Sequence, residues 1–188
     1  MATAQQALDV ARNEIGYTRW NDPAAGTKYG RWYAAKTNSP YYGESGVPYC
    51  AMFVSWVLAQ VGMTPPGGIY AYCPYGINGA RAQGRLVPKT AAQPGDIVFF
   101  DWDPDTVSDH TGFIESYSGG VYTCIEGNTS PDNGGSQSDG GGVWRRTRYA
   151  SQICAVARPA YSASSSTSTA PSSSTTTSTD WIDDLVAS

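Results

Sequence analysis

The fold is decided by one apolar stretch, YCAMFVSWVLAQV at residues 49–61, which follows Pro48 and ends before Gly62. Almost every position is apolar, so no face of a helix built from it would meet water. A proline before the first turn and a glycine after the last are typical helix boundaries. The stretch therefore predicts a buried central helix with Cys50 in its first turn.

Two more helices are expected before this one, and strands after it. Residues 3–15 carry an apolar stripe at helical spacing, and a shorter aromatic helix is expected around residues 29–35. From residue 96 onward the apolar period changes to two, with turn residues between the runs. Strands are expected at 97–102, 110–117, 121–126, 143–149 and 153–158. The predicted class is α+β, with N-terminal helices packed on an antiparallel β-sheet.

Length and charge limit the domain organisation and the partners. The chain has 188 residues, and residues 1–161 hold 12 basic and 13 acidic side chains, because the other three acidic residues lie at the C-terminal end. A nearly neutral domain has no large positive field, so we expect no nucleic-acid partner. No stretch approaches the roughly 20 apolar residues that span a bilayer. We therefore expect no membrane insertion, and a monomer.

The composition changes sharply after residue 161. Of residues 162–179, 15 of 18 are Ser or Thr and none is aromatic or charged, which predicts a flexible linker. Residues 180–188, DWIDDLVAS, are too few to fold alone. We interpret 1–161 as the catalytic domain, 162–179 as the linker, and 180–188 as a short tail that either begins a second domain or docks as a peptide.

Cys50 and His110 are the candidate catalytic pair. A cysteine alone is more often a core residue, but the unpaired N–H groups and dipole of a first helical turn stabilise a thiolate. His110, the one histidine of the chain, opens an expected strand and is the only histidine base available. Glu126 and Asn128 lie two residues apart on one expected strand. Either is a candidate for the group that orients the imidazole.

The other cysteines and an acidic loop receive simpler interpretations. Cys73, placed in a loop before a proline, Cys124 and Cys154 are expected to be structural free thiols. One histidine and no C-x-x-C pair make a zinc site improbable. Aspartates at alternate positions in the Asp101–Asp109 loop resemble a calcium loop, but no bidentate glutamate follows. A solvated acidic turn is favoured, calcium is the alternative, and no cofactor is otherwise required.

Four ordered motifs carry a family resemblance. They are YCAMFVSW (49–56), PGDIVFFDW (94–102), DHTGFIE (109–115) and IEGNT (125–129), preceded by KYGRWY at 28–33. Together they resemble CHAP domains, the cysteine, histidine-dependent amidohydrolases/peptidases. The resemblance covers nearly all of residues 1–160. Tyr49 stands where the family usually has Trp, which keeps an aromatic wall and is expected to affect the substrate-selecting rim.

The resemblance implies a papain-like fold and hydrolysis of bacterial peptidoglycan. Cys50 would be the nucleophile and His110 the base and then the acid, with Glu126 and Asn128 completing the site. The bond cut would be either the muramoyl-alanine amide or a peptide bond of the stem or bridge.

The setting in which the enzyme acts has three interpretations. The N-terminal residues lack the features of a signal peptide. We therefore expect a bacteriophage endolysin, made in the host cytoplasm and acting on the wall after release. A bacterial wall hydrolase or exported toxin with the same chemistry is the alternative. A non-catalytic wall-binding module is disfavoured, because a binder gains nothing from a thiolate and a base.

Overall fold

The computed structural model describes residues 2–103 and 105–162, which form helices first and a sheet afterwards. The α-helices are α1 (Ala4–Asn13), α2 (Lys28–Thr37), α3 (Cys50–Gln60) and α4 (Cys73–Ala82). The strands are β1 (Leu86–Val87), β2 (Ile97–Phe100), β3 (His110–Ser118), β4 (Val121–Thr129), β5 (Gly142–Tyr149) and β6 (Ile153–Ala157). Short 3₁₀ helices occupy Pro40–Gly43, Lys89–Ala91 and Ala150–Gln152.

The strands form one antiparallel sheet in the order β1-β6-β2-β3-β4-β5. Helix α3 packs on β3 and β4, and α1 and α2 pack on α3. The predicted α+β class, with N-terminal helices on an antiparallel sheet, is confirmed. Among the described residues, no helix is both long enough and apolar enough to cross a membrane.

Helix α3 is buried along most of its length, as its apolar sequence predicts. The ring of Phe53 meets that of Phe113 on β3 at 6.5 Å between centroids. On β4, a side chain at Gly127 would bring its Cβ within 2.7 Å of Phe53. Glycine is therefore needed there for the strand to approach the helix. This contact fixes the start of α3, and with it Cys50, relative to β3 and β4.

An aromatic cluster joins α2 to the start of α3, and it explains the KYGRWY segment. The Tyr29 ring stacks on Tyr49 at 5.2 Å and meets the edge of Trp56 at 5.2 Å. The Tyr29 hydroxyl donates to Glu14 on the chain that follows α1. Tyr49 is fully buried, and its hydroxyl donates to the carbonyl of Gly141. The expectation that Tyr49 contributes to the substrate-selecting rim is therefore wrong, because this ring belongs to the core.

Helix α4 was not predicted, and the assignment of Cys73 to a loop is wrong. The helix begins at Cys73, with Pro74 in its first turn. Its sequence, CPYGINGARA, contains two glycines, which have poor intrinsic helix propensity. Packing explains both of them, because a Cβ at Gly76 would lie 2.6 Å from the Tyr70 ring and one at Gly79 would lie 2.7 Å from the Pro66 carbonyl oxygen. Tertiary contacts thus outweigh the local preference of this segment.

The ends of the described chain meet at the side of the sheet. The backbone N–H of Ser162 donates to the carbonyl of Ala2, and the hydroxyl of Tyr161 donates to that of Gly95. These bonds tie residues up to 162 to the folded domain, including the first residue of the predicted linker. The rest of that linker and the predicted tail at 180–188 lie outside the described residues and stay predictions.

We expect a chain truncated after Ser162 to unfold cooperatively, with a melting temperature within about 2 °C of the full chain. Within residues 2–103 and 105–162, both core clusters consist of residues between Ala7 and Ala157, which the truncation leaves in place. Calorimetry of the two proteins checks this. A truncated protein without a cooperative transition would show that the last 26 residues stabilise the domain.

Candidate active site

Cys50 is the first residue of α3, where the backbone N–H groups of a helix have no intrahelical acceptor. Its side chain lies at the floor of a surface cavity, and the residue is only 6% exposed. Contacts with Cys73 and then with His110 hold the pKa of the Cys50 thiol well below its usual value, although burial alone would raise it. The site therefore favours the thiolate form of Cys50.

His110 is the first residue of β3 and is fully buried. Its Nε2 lies 3.1 Å from Glu126 Oε2. Within the described residues, its Nδ1 makes no hydrogen bond of regular geometry, and the Cys50 thiol is close enough to interact with the ring. Burial alone would lower the pKa of His110, but Cys50 and Glu126 raise it to about 9. The imidazole thus has one nitrogen for Glu126 and another for the nucleophile.

The contact between His110 and Glu126 follows from the register of β3 and β4. Gly112 is paired with Glu126, and His110 lies two residues earlier on the same face of β3. A Cβ added at Gly112 would lie 2.7 Å from Glu126 Cγ. The glycine therefore leaves room for the glutamate side chain beside β3, where its carboxylate meets the imidazole.

Arg148 on β5, which was not predicted as a site residue, completes the buried polar chain. Its Nε lies 2.8 Å from Glu126 Oε1, its Nη2 lies 2.5 Å from Oε2, and the residue is 2% exposed. The guanidinium also lies 4.9 Å from the centre of the Trp102 ring. Burial alone would raise the pKa of Glu126, but hydrogen bonds from Arg148 and His110 lower it. Glu126 is therefore held as a carboxylate between two cations.

One signal could have pointed to Arg148. The sequence WRRTRY at 144–149 places Arg146 and Arg148 two residues apart, so both face the same side of β5. Both are buried. A buried arginine needs an acceptor, and Glu126 is on the neighbouring strand.

Asn128 does not join this buried polar chain, so the prediction that its side chain lies beside that of Glu126 is wrong. The prediction assumed that the alternation of β4 continues through Gly127. Instead, the β4–β5 register shifts between Glu126 and Thr129, and Asn128 has φ +61°. Asn128 accepts a hydrogen bond from Arg19 and donates to the carbonyl of Ser138. A bulge in the strand thus turns the amide away from His110.

Cys73 lies inside the site, contrary to the interpretation of it as a structural thiol remote from the chemistry. Its Sγ is 3.9 Å from Cys50 Sγ, and the two sulfur atoms share a hydrogen bond. The remaining cysteines lie outside the active site. Cys124 is fully buried in a core cluster with Phe100 and Tyr122, on the face of the sheet that carries Glu126, and Cys154 is exposed and donates to the Phe99 carbonyl.

A cavity of about 660 Å³ opens above the two sulfur atoms. Its border is largely aromatic, and exposed phenol rings stand on both sides of the opening. The tyrosines that line it are Tyr41 and Tyr42 on one side and Tyr72 and Tyr75 on the other. Among the residues that the structure describes, Asp109 is the one charged residue of its lining. The cavity can accept a neutral, partly apolar substrate over Cys50.

The acidic loop before β3 brings some of its carboxylates together. Oxygens of Asp101, Asp103 and Asp109 lie within 4.8 Å of one another. Asp105 accepts instead from the backbone N–H of Val107, and Asp109 accepts from that of Trp102. These internal bonds suit a solvated acidic turn, the favoured interpretation. Calcium binding by this loop stays a prediction.

Comparison with known proteins gives a family match and two partial structural likenesses. Residues 40–128 match the family described as CHAP domain. No curated protein matches the chain significantly. One similar solved structure is a lipoprotein-like NLP/P60-family protein from Staphylococcus aureus, with 16% identity and a TM-score of 0.43, covering 83% of this chain and 41% of that one. Another is Ly7917, with 16% identity and a TM-score of 0.46, covering 84% of this chain and 62% of that one.

This chain therefore spans less than two thirds of either structure. The segment matched by the family contains the whole of α3 and β3 and most of β4, and with them Cys50, His110 and Glu126. Arg148, on β5, lies beyond it. By these motifs and this match, residues 40–128 are similar to the CHAP domain family.

Proposed function

We propose that this protein hydrolyses an amide bond of bacterial peptidoglycan, with Cys50 as nucleophile and His110 as acid and base. The observation that carries the proposal is the buried chain from Cys50 through His110 and Glu126 to Arg148, at the floor of an open cavity. Burying four ionisable groups is costly unless each is compensated. Their alternating charges provide that compensation and suit a thiolate–imidazolium pair.

The reaction proceeds in two steps. The Cys50 thiolate attacks the amide carbonyl carbon, the C–N bond breaks, and His110 gives its proton to the departing amine. The acyl group is then a thioester on Cys50. Water gives a proton to His110 and attacks the thioester, and the C–S bond breaks to release a carboxylic acid and the thiolate.

The remaining groups support these steps. The backbone N–H of Cys50, at the helix start, is an available donor for the oxygen that becomes negative during attack. Glu126 stabilises the imidazolium and fixes the ring, because it accepts from Nε2 and leaves Nδ1 for the nucleophile. Arg148 keeps Glu126 ionised and in place. Arg148 touches no reacting atom, so it is a positioning residue.

We further propose that the substrate bond is either the muramoyl-alanine amide or a peptide bond of the stem or bridge. Mass spectrometry of fragments released from purified cell walls distinguishes these bonds, because each cut leaves a different new amine. A newly exposed alanine amine beside intact glycan identifies an amidase. A new amine within the peptide identifies a peptidase.

The setting we propose is that of an endolysin, which acts on the wall after release from the host cytoplasm. The composition of residues 162–179 supports this, since it is typical of a linker between a catalytic domain and a wall-binding module. The coding region tests the idea. A neighbouring gene for a pore-forming membrane protein supports it, whereas a chromosomal cluster of wall-synthesis genes favours a bacterial wall hydrolase.

Replacing either member of the catalytic pair should abolish turnover. We expect Cys50→Ala and His110→Ala each to lower kcat/KM on soluble peptidoglycan fragments by at least about 1,000-fold, and the double variant to be no worse. The reason is that the two groups act as one unit. Cys154→Ala is the matched control, because its thiol is exposed and does not contact Cys50.

Fragment release and melting temperature should be measured on all four variants. Turnover by the Cys50→Ala variant would show that Cys50 is not the nucleophile. A wild-type protein that binds cell walls without releasing fragments would point instead to a binding module.

The activity should fall on the alkaline side as pH rises through about 9. The raised pKa of His110 keeps the imidazole protonated below that value, and above it the leaving amine loses its proton donor. On the acidic side, activity should persist well below the usual pKa of cysteine, because the pKa of Cys50 is lowered. The pH profile of kcat/KM tests both limbs. An alkaline limb near pH 6.5, the ordinary histidine value, would contradict the contact with Glu126.

Glu126→Gln should narrow this profile from both sides, by about one pH unit on each limb. Without the carboxylate, the imidazolium is less stable, so the pKa of His110 falls and that of Cys50 rises. Asn128→Ala is the matched control and should leave both limbs in place, because Asn128 contacts Arg19 and Ser138 rather than His110. Equal shifts in the two variants would indicate that Asn128 also orients the His110 imidazole.

A further inference from the structure

Two helix starts converge on one pair of sulfur atoms. Cys50 is the first residue of α3 and Cys73 is the first residue of α4. Their Sγ atoms lie 3.9 Å apart at the floor of the same cavity, and Cys73 is 4% exposed. This distance is within the range of a hydrogen bond between sulfur atoms, and it is well beyond the length of a disulfide. The proposed mechanism has not used Cys73.

We propose that Cys73 is a second thiol of the catalytic site, whose S–H donates a hydrogen bond to Cys50 Sγ and stabilises Cys50 as the anion. The inference rests on the proposed function in taking Cys50 as the nucleophile. Cys73 acts through Cys50, so it is a positioning residue for the attack.

The surroundings decide which sulfur keeps the proton. Both thiols lie in the first turn of a helix, so the helix dipole favours neither of them. The His110 imidazole is on the side of Cys50, where a positive charge stabilises a thiolate. On the side of Cys73 is the carboxylate of Asp109, which disfavours a second negative charge. Cys73 is therefore the donor and Cys50 the acceptor.

The other ionisable groups near the pair do not compete with Cys50 for the negative charge. Tyr49 and Tyr70 are buried near Cys50, and burial raises the pKa of each phenol, so both stay neutral. The Tyr49 hydroxyl already donates to Gly141. The Cys73 thiol has the same preference for the neutral form, because its contact with Cys50, followed by burial, raises its pKa well above the usual value. A neutral thiol beside an anion is the arrangement that a shared proton requires.

The donor compensates for the burial of the nucleophile. A thiolate that is 6% exposed has lost most of its water, and each hydrogen bond to the charged form lowers its free energy. The His110 imidazolium also stabilises the thiolate, but it gives up its proton during each turnover. Cys73 keeps its proton, so it stabilises the thiolate again as the leaving group of the second step.

The test is the pH dependence of alkylation at each cysteine of the full-length protein. Wild type, Cys73→Ala, Cys73→Ser and the control Cys154→Ser are treated with iodoacetamide after reduction, and peptide mass spectrometry gives the rate at Cys50. We expect the midpoint for Cys50 to rise by about one pH unit in Cys73→Ala. Cys73→Ser keeps an O–H donor and should shift less, and Cys154→Ser should not shift.

An unchanged Cys50 midpoint in Cys73→Ala, with normal folding by circular dichroism, would overturn the inference. If Cys73→Ala fails to fold, Cys73→Val decides, because valine fills the space of the thiol and has no donor. An unchanged Cys50 midpoint in Cys73→Val would then overturn the inference. Alkylation needs no peptidoglycan. A shifted midpoint in a protein that does not hydrolyse cell walls would therefore contradict the proposed function and still support the hydrogen bond between the two thiols.

Discussion

The ion pair between Glu126 and Arg148 is the interaction on which the site depends. A carboxylate with no exposure to water is too costly to keep ionised alone. Two hydrogen bonds from one guanidinium satisfy it, with a geometry that a lysine could not reproduce. Because Arg148 also packs against Trp102, the pair has little freedom to move. The carboxylate that reaches His110 is therefore charged and fixed before any substrate binds.

From this pair outward, charge alternates along a buried line. Arg148 is positive, Glu126 negative, His110 positive in its protonated form, and Cys50 negative as the thiolate. The line is neutral overall, which reduces the cost of burying it. Removing one member leaves its neighbours uncompensated, so stability and reactivity are coupled at these positions.

The sequence predicted the parts of this structure that follow from local patterns. The apolar run of α3, the period-two strands and the pairing of Cys50 with His110 all rest on residues close to one another or unique in the chain. Three features could not be predicted from the sequence, for physical reasons. Helix α4 is stabilised by packing around its glycines. Asn128 is turned away by a bulge in the pairing of β4 with β5, which the period-two pattern of the sequence does not reveal. Arg148 acts across two strands, and periodicity alone does not show which acid it meets.

The reactive groups are first residues of their elements: Cys50 of α3, Cys73 of α4 and His110 of β3. The backbone of a first residue is held on its C-terminal side by a packed helix or strand. On its N-terminal side it joins a loop, which can leave space for a cavity. For the helices it also provides N–H groups without acceptors, which favour a thiolate. The buried bodies of these elements make the site rigid, and their ends make it accessible from the cavity. This is why a cysteine can be 6% exposed and still lie at the floor of an open groove.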